Sequence, residues 1–400
     1  MPGPRGSEST SSATKRRSRL PRWVLSVLLA AGFLSIQVSI VAAHGNDGHT
    51  PITKWHGFGL LLAGGSVVVA GALAQRREWL SPTRALSIVF VGVVAAALGA
   101  ILFEGLSPDP SHGAETIPFP RGWYTPLALG IGLFTVVVSV VGGWLRWPTR
   151  PRYTFLGTLM GLWIMYPELL APPASYTNPV GYLIVLSTPI LVGYVIWKDA
   201  WGVLSAVLRD PVVRRFGVGV SIVITGFFMS MTGYLSVFPD EAAPTETVFV
   251  VLPAVYQLVS WPTLELFLPQ VPLFVAISPG LVILNGLIGV LVGLNAAIIA
   301  RQWRVNKRAG ATEGTVGTAA IVGSCTCGCC GPFVAQFAAV AAGSSVAAPL
   351  YWLFIDSASP LVVVFIVGSI VLFTGTLVYS AQTADEDTRS RSVSADSRDW

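Results

Sequence analysis

Apolar runs of about 20 residues recur along this chain, and the short segments between them carry most of its charge. A run of that length is what an α-helix needs to cross a hydrocarbon core about 30 Å thick. Charged residues make up only 11% of the 400 residues. Soluble domains carry about 25%, so the composition argues against a water-soluble fold. The pattern predicts an all-α, multi-pass membrane helix bundle.

The apolar runs predict about ten transmembrane helices. They form a membrane domain over residues 23–382, between a basic tail expected to be disordered at 1–22 and a charged tail at 383–400. The predicted spans lie at about 23–43, 57–75, 84–106, 123–145, 153–170, 180–198, 216–238, 274–300, 316–342 and 350–380.

Arginine and lysine collect in alternate loops, which predicts the orientation in the membrane. Loops rich in these residues stay in the cytoplasm. The protein is expected in the cell membrane, with both termini cytoplasmic unless the first span is cleaved. The net charge of +5 needs no nucleic-acid partner. The predicted cytoplasmic clusters are Arg76, Arg77 and Arg84; Arg146, Arg150 and Arg152; Arg209, Arg214 and Arg215; and Arg301, Arg304, Lys307 and Arg308.

The run 248–268 breaks this alternation. It is apolar enough to span, but a crossing there would place the cluster that begins at Arg301 outside the cell. Pro253, Pro262 and Glu265 also interrupt it. We therefore predict a re-entrant or interfacial segment on the outer side, where protein or a water-filled cavity must cover any non-helical backbone.

The first span, 23–43, is also a candidate signal peptide. Basic residues precede it, and Val41, Ala42 and Ala43 have the small side chains of a cleavage site. Cleavage after Ala43 would leave His44 at the N-terminus. The same residues are compatible with an uncleaved helix, so both alternatives stay open.

All four cysteines of the chain fall within six positions, inside the predicted span 316–342. On an unbroken helix no single face would present all four sulfurs. Gly331 and Pro332 favour a break, because proline removes a backbone donor and glycine tolerates the distortion. A broken helix could gather the thiolates around one point, as membrane transporters do at their binding sites. The cysteines are Cys325, Cys327, Cys329 and Cys330.

Several chemistries fit such a cluster. Thiolates favour soft ions, and the tight C-x-C and C-C spacings suit Cu(I) better than zinc or an iron–sulfur cluster. Cys327 and Cys330 also form a C-x-x-C pair, which fits a dithiol–disulfide couple. The structural alternative is that cysteine packs as a small apolar residue without any cofactor.

The histidines and several carboxylates are expected on the outer side. Imidazole is a common metal ligand, so His44, His49 and His56 are candidate ligands near Asp47. Ionisable groups near membrane depth usually face a cavity or a partner. An outward vestibule would also include Glu104, His112, Glu168, Glu265 and Asp356. The plainer interpretation is that these residues meet water at loop and helix ends.

If the chain is cut after Ala43, the amine and ring of His44 could chelate one copper ion. The sequence His44-Gly45 would then resemble the copper brace of the B subunit of copper membrane monooxygenases. The resemblance covers these two residues and their context, and it implies a copper oxidase or an accessory subunit.

Four functions are compatible with these sequence features. The favoured one is a membrane protein that handles a soft metal ion, preferably copper, as a transporter or a cofactor-insertion factor. The alternatives are a transmembrane thiol–disulfide electron conduit, a copper oxidase or accessory subunit using His44, and a structural subunit. Expected partners are the lipid bilayer and an extracytoplasmic protein that carries metal or thiols. No P-loop, H-E-x-x-H or G-x-S-x-G motif points to a common enzyme class.

Overall fold

The protein is mostly helical. The computed structural model describes residues 53–107, 121–170, 174–237, 246–269, 273–305, 331–343, 349–350, 352–354 and 359–396. The helices are α1 (Lys54–Arg76), α2 (Pro82–Gly105), α3 (Tyr124–Arg146), α4 (Pro151–Leu169), α5 (Pro179–Asp199), α6 (Trp201–Leu208), α7 (Pro211–Met231), α8 (Pro279–Val305), α9 (Gly331–Ala342) and α10 (Pro360–Asp396). Short 3₁₀ turns at Arg121–Trp123 and Ala174–Thr177 precede α3 and α5.

Proline and capping residues fix where these helices begin. Pro82, Pro179 and Pro211 lie in the first turns of α2, α5 and α7, where a missing N–H costs no helical bond. The Asn178 side chain accepts a hydrogen bond from the Val180 amide at 2.9 Å, and Asp210 accepts one from the amide two residues on.

Helices α1 and α2 pack with their backbones in contact. The small residues recur every seven positions, at 57, 64 and 71 of α1 and at 85, 92 and 99 of α2. A Cβ on Gly64 would come within 2.4 Å of the Ala96 nitrogen, and one on Gly99 within 2.3 Å of the Leu61 nitrogen. Only glycine fits at such approaches, which supply van der Waals contact where hydrophobicity alone gives no association force.

Close contact at glycines also joins α7 to α8. Gly293 lies against the Gly217 carbonyl oxygen, and Gly289 lies against Thr225 and Ser221. Gly289 and Gly293 therefore allow α8 to approach α7 closely, whereas Gly286 has open space around it.

Helix α8 crosses the centre of the bundle, and its two ends define two ends of the molecule. At one end Arg304 of α8 pairs with Asp210, and Gln75 of α1 bonds the Trp303 carbonyl. We call this the basic end, because most of the arginines that flank the helices lie there. At the other end, here called the sheet end, a β-sheet joins α7 to α8.

The sheet adds a β component to a fold predicted as all-α, and it gives residues 248–268 a strand conformation that was not predicted. Strands β1 (Leu235–Val237), β2 (Val248–Tyr256), β3 (Val259–Leu268) and β4 (Leu273–Ile277) pair antiparallel in the order β1-β4-β3-β2. The predicted re-entrant segment is the β2–β3 hairpin. Its run of β-branched and aromatic residues, turning at Gln257 in a left-handed conformation, is typical of strands.

The chain enters and leaves the hairpin at the same end of the bundle. Helices α7 and α8 run side by side in opposite directions, with Gly217 against Gly293 and Asp210 paired with Arg304. The connection between them therefore begins and ends at the sheet end.

The prediction of about ten spans is not confirmed. Seven of the described helices are long and apolar enough to cross a membrane: α1, α2, α3, α5, α7, α8 and the first part of α10. The predicted span 153–170 is helix α4, which is outside this set. The run 23–43 lies outside the described residues, and 316–342 is described only from 331 onward. The protein is a multi-pass membrane protein.

Helix boundaries also differ from the predictions near the sheet. The predicted span 216–238 is α7, which begins at Pro211 and ends at Met231. The predicted span 274–300 begins as strand β4 and becomes helical only at Pro279. Helix α10 starts ten residues later than the predicted span 350–380 and continues into the segment predicted as a charged tail.

Candidate functional site

The structure locates only part of the predicted site. The cysteine cluster, Cys325, Cys327, Cys329 and Cys330, lies outside the described residues, as do His44, Asp47, His49, His112 and Asp356. The described candidates are His56, Glu104, Glu168 and Glu265.

Helix α9 begins immediately after the last cysteine. Its first residue is Gly331, and Pro332 follows within the first turn, where its ring breaks no helical bond. The helix N-terminus exposes unpaired N–H groups and carries a partial positive charge. Such a position stabilises a negative charge placed next to it.

An aromatic cluster holds α9 against the α1–α2 pair. The Phe337 ring stacks on Phe58 of α1 with centroids 5.8 Å apart, and Phe58 lies 5.9 Å from Phe103 of α2. Gly331 is six residues before Phe337, or about 9 Å along the helix axis. Because Phe58 and Phe103 lie near the sheet end of their helices, the chain that follows the cysteines reaches this end of the bundle.

His56 closes the first turn of α1, two residues before Phe58. Its Nδ1 accepts a hydrogen bond from the Thr53 amide at 3.0 Å and lies 2.9 Å from the Thr53 hydroxyl. An accepting Nδ1 puts the ring proton on Nε2, which then cannot bind a metal. Ligation through Nε2 would move the proton to Nδ1, which would donate to the hydroxyl and leave the Thr53 amide unpaired. The cap therefore competes with metal binding at His56.

The three candidate carboxylates that the structure describes also lie at the sheet end, but on different elements. Glu104 is in the last turn of α2. Glu168 is in the last turn of α4 and accepts a 2.6 Å hydrogen bond from the Thr125 hydroxyl, at the start of α3. Glu265 lies on the central strand β3, opposite Ala276 of β4.

Glu265 affects a tyrosine at the edge of the sheet. Burial and then the negative charge of Glu265 raise the pKa of Tyr234 above its ordinary value. The Tyr234 carbonyl accepts from the Ala276 amide at 2.7 Å, which fixes the entry of the chain into β1. Tyr234 therefore stays neutral at physiological pH.

A polar junction where the hairpin meets the helices was not predicted from the sequence. The Tyr256 hydroxyl, at the hairpin tip, donates to Asn285 Oδ1 of α8 at 2.7 Å. Trp261 packs edge-on against Tyr182 with centroids 5.1 Å apart, and its indole nitrogen lies directly over Gly280. An asparagine inside an apolar span was the signal available in the sequence, because a buried amide requires partners.

Two donors at this junction lack an acceptor within the part of the chain that the structure describes. They are Asn285 Nδ2 and the Trp261 indole nitrogen, and both side chains are buried. Buried donors of this kind are usually paired with an ordered water. The junction can therefore hold a small hydrogen-bond acceptor.

An ion pair at the basic end was also missed. Arg152 Nε donates to Asp199 Oδ2 at 2.6 Å, a second guanidinium nitrogen bonds Oδ1, and the Tyr153 hydroxyl bonds the same carboxylate at 2.9 Å. The Asp199 side chain is only 5% exposed, so this carboxylate is not an ordinary solvated charge at a helix end. Its partners precede it by more than 40 residues, so no local pattern indicates them.

Among the described residues, no three histidine, cysteine, aspartate or glutamate side chains come together as a metal site. The chain matches no protein-family model, and comparisons with curated proteins and with solved structures find no significant match.

Proposed function

We propose that this membrane protein handles a soft metal ion, with copper favoured, through Cys325, Cys327, Cys329 and Cys330. The observation that carries the proposal is the confinement of all four cysteines to six positions. Independent packing cysteines would be scattered among the spans. Clustered thiolates are the ligands that Cu(I) prefers, and two or three of them suffice.

The described surroundings support a route to this cluster. Helix α9, which directly follows Cys330, packs through Phe337 on the turn of α1 next to His56. Glu104 lies in the last turn of α2, at the same end. A cation captured at the sheet end would therefore meet histidine and carboxylate ligands before the thiolates. The protein would then act as a transporter or a cofactor-insertion factor.

Transport requires that the ion leave again. A site that used all four thiolates at once would hold Cu(I) tightly. Two or three sulfurs used in succession would let the ion pass from one pair to the next, with binding weak enough for release. The alternating C-x-C and C-C spacing offers such overlapping pairs.

Elemental analysis of the anaerobically purified protein tests the proposal. We expect about one equivalent of copper, and its loss in the Cys325→Ser/Cys329→Ser variant. Thr326→Ala, a change within the same segment that removes no thiol, is the matched control and should keep the metal. Equal copper in all three proteins, or none in any, contradicts the proposal.

The contribution of His56 can be tested separately from its capping role. Glutamine at the third position of a helix also caps its first turn, so His56→Gln should retain the helix while removing the imidazole. Weaker copper uptake at the sheet end with unchanged thermal stability would identify His56 as a ligand. Unchanged uptake would leave it as a cap.

A second candidate function follows from the position of the C-x-x-C pair. Cys330 immediately precedes the N-terminus of α9, a setting that favours thiolate formation and disulfide exchange. In an electron conduit, Cys327 and Cys330 would accept reducing equivalents from a partner thiol protein. Alkylation of both thiols that depends on the redox buffer would favour this function, and equal alkylation in oxidising and reducing buffers would oppose it.

A further inference from the structure

The outer face of the β-sheet is apolar almost throughout. Residues directly opposite each other in the register lie on one face, so the rows Val251–Leu264–Ile277 and Phe249–Leu266–Val275 share it. Ser260 supplies the only polar side chain among the described residues of this face. Its other members are Leu235, Pro253, Val255, Pro262, Leu268 and Leu273.

The opposite face is the one that packs on the helices. It carries Trp261, Thr263, Phe267 and Ala276, all of them buried. A sheet with one covered face ordinarily turns polar side chains outward. Here the outer face is the more uniformly apolar one, and Phe249 is 67% and Val251 58% exposed. Contiguous exposed apolar surface of this kind marks an interaction site.

The strands run roughly along the axis of α8. Trp261 lies over Gly280, and Tyr256, which pairs with Val259, bonds Asn285. The two strand positions from 261 to 259 span about 7 Å, and the five helical positions from 280 to 285 rise about 7.5 Å. Because the two distances agree, the hairpin continues the direction of α8 away from the bundle.

Lipid cannot cover the whole of this face. Counted from Arg301 at the basic end, a 30 Å hydrocarbon core takes about 20 helical residues and ends near Leu281. The row that contains Val275 stands about 15 Å further out, since extended chain rises about 3.3 Å per residue. The headgroup layer is only about 5–8 Å thick on each side. The upper rows, with Phe249 and Val251, therefore need a protein surface.

We propose that this face is the interface between two copies of the chain, packed outer face to outer face about a two-fold axis along the membrane normal. Such an axis keeps both copies in the same orientation in the membrane. It also places equivalent surfaces opposite each other, and a face without charge is complementary to itself. Two sheets packed in this way form a layer about 10 Å thick.

Pairing through the free edge of β2 is the competing arrangement for a second copy. Antiparallel pairing of two β2 strands requires a two-fold axis perpendicular to the strands. Because the strands run roughly along the membrane normal, that axis would lie in the membrane plane and invert one copy. Pro253, which lacks an N–H, further interrupts this edge.

The size of the face predicts a reversible dimer. From strand spacing and rise, it covers on the order of 450 Å² per copy. The pair would bury about 900 Å², below the roughly 1,200–2,000 Å² of stable complexes. Association should therefore depend on the protein-to-lipid ratio. This inference does not rest on the metal chemistry.

Energy transfer between donor- and acceptor-labelled copies in lipid vesicles tests the dimer. We expect transfer that rises with protein-to-lipid ratio, and a dimer at least about tenfold weaker in Val251→Asp, because an unpaired charge would be buried. Leu252→Asp places the same charge one residue away on the other face, at a side chain 46% exposed. It should change the dimer less than about twofold.

Phe249→Ser provides a second test if Val251→Asp fails to fold, since it should also weaken the dimer while adding no charge. A wild-type protein that stays monomeric at every protein-to-lipid ratio overturns the proposal, whether lipid or another protein covers the face. Equal weakening by Val251→Asp and Leu252→Asp overturns it as well.

Discussion

Different interactions join the helices at the two ends of the bundle. At the basic end, charges join the helices: Arg152 to Asp199, Arg304 to Asp210, and Arg301 to the carbonyl of α6 residue Ala206. At the sheet end, neutral and aromatic contacts do so, with Tyr182 bonded to the Ser260 carbonyl and Tyr256 to Asn285. The ion pairs formed between two described residues both lie at the basic end.

The contacts at the basic end have a structural role. Bidentate pairs with arginine fix helix ends where loops are short and positively charged. The candidate carboxylates of the sheet end lie instead on three separate elements, α2, α4 and β3.

Both ends depend on the backbone contacts between them, so the largest effect is expected there. Gly64→Leu would force the backbones of α1 and α2 apart, because the Ala96 nitrogen cannot move away from a Cβ at 2.4 Å. We expect a loss of more than about 4 kcal/mol in the free energy of unfolding, or no folding. Unfolding in mixed micelles, followed by circular dichroism, measures it.

Gly65→Leu is the matched control, since nothing lies within 4 Å of a Cβ at that position. It should be neutral or stabilise the helix by up to about 1 kcal/mol. Similar losses in the two variants would disprove the backbone contact.

At the basic end, Arg152→Ala would leave the Asp199 carboxylate buried without its partner. We expect a loss of about 3 kcal/mol in the same unfolding measurement, because an uncompensated buried charge is costly. Arg152→Lys should recover only part of it, since lysine cannot make the bidentate contact. Arg146→Ala removes an exposed arginine nearby and should have little effect; a loss as large as that of Arg152→Ala would show a general charge effect.

At the sheet end, Tyr256→Phe removes a single hydroxyl and leaves Asn285 further unsatisfied. The expected loss is about 1–2 kcal/mol in the free energy of unfolding. Tyr194→Phe, on the exposed side of α5, is the control and should change stability by less than about 0.5 kcal/mol. An equal free energy of unfolding in the two variants would show that the hydrogen bond of the Tyr256 hydroxyl does not stabilise the protein.

The smallest effect concerns the second ion pair of the basic end. The side chains of Arg304 and Asp210 are 31% and 27% exposed, so water and salt screen them. Arg304→Gln should cost less than about 1 kcal/mol at low salt and nothing measurable in about 1 M salt. Arg214→Gln, an exposed arginine on α7, is the comparison, and a loss that persists in high salt would mean that the pair is effectively buried.

The helices of the first half could be predicted closely from the sequence, and those near the sheet could not. Apolar length and first-turn prolines such as Pro82 and Pro179 place α2 and α5 within about two residues of the predictions. The hairpin was missed because a continuous apolar strand such as Val248–Tyr256 cannot be told from a buried helix by periodicity. The one local signal that favours a strand is the set of β-branched residues on both sides of Pro253.

The site was less predictable than the fold. Glu168 and Glu265 lie at one end of the bundle, as the alternation of helix directions requires. The spacing of Thr53 and His56 is a local signal for the cap that they form, although His56 is predicted from the sequence only as a candidate metal ligand. The contacts of Asp199 with Arg152 and of Tyr256 with Asn285 depend on tertiary packing, which the sequence does not encode locally.

The central claim is that a soft metal ion is held by the thiolates that precede α9. X-ray absorption at the copper edge, on protein loaded with Cu(I) under anaerobic conditions, tests it most directly. The account predicts two or three sulfur neighbours around copper, lost when Cys325, Cys327, Cys329 and Cys330 are replaced together by serine. A copper shell of nitrogen and oxygen alone, or the same spectrum in the serine variant, would contradict it.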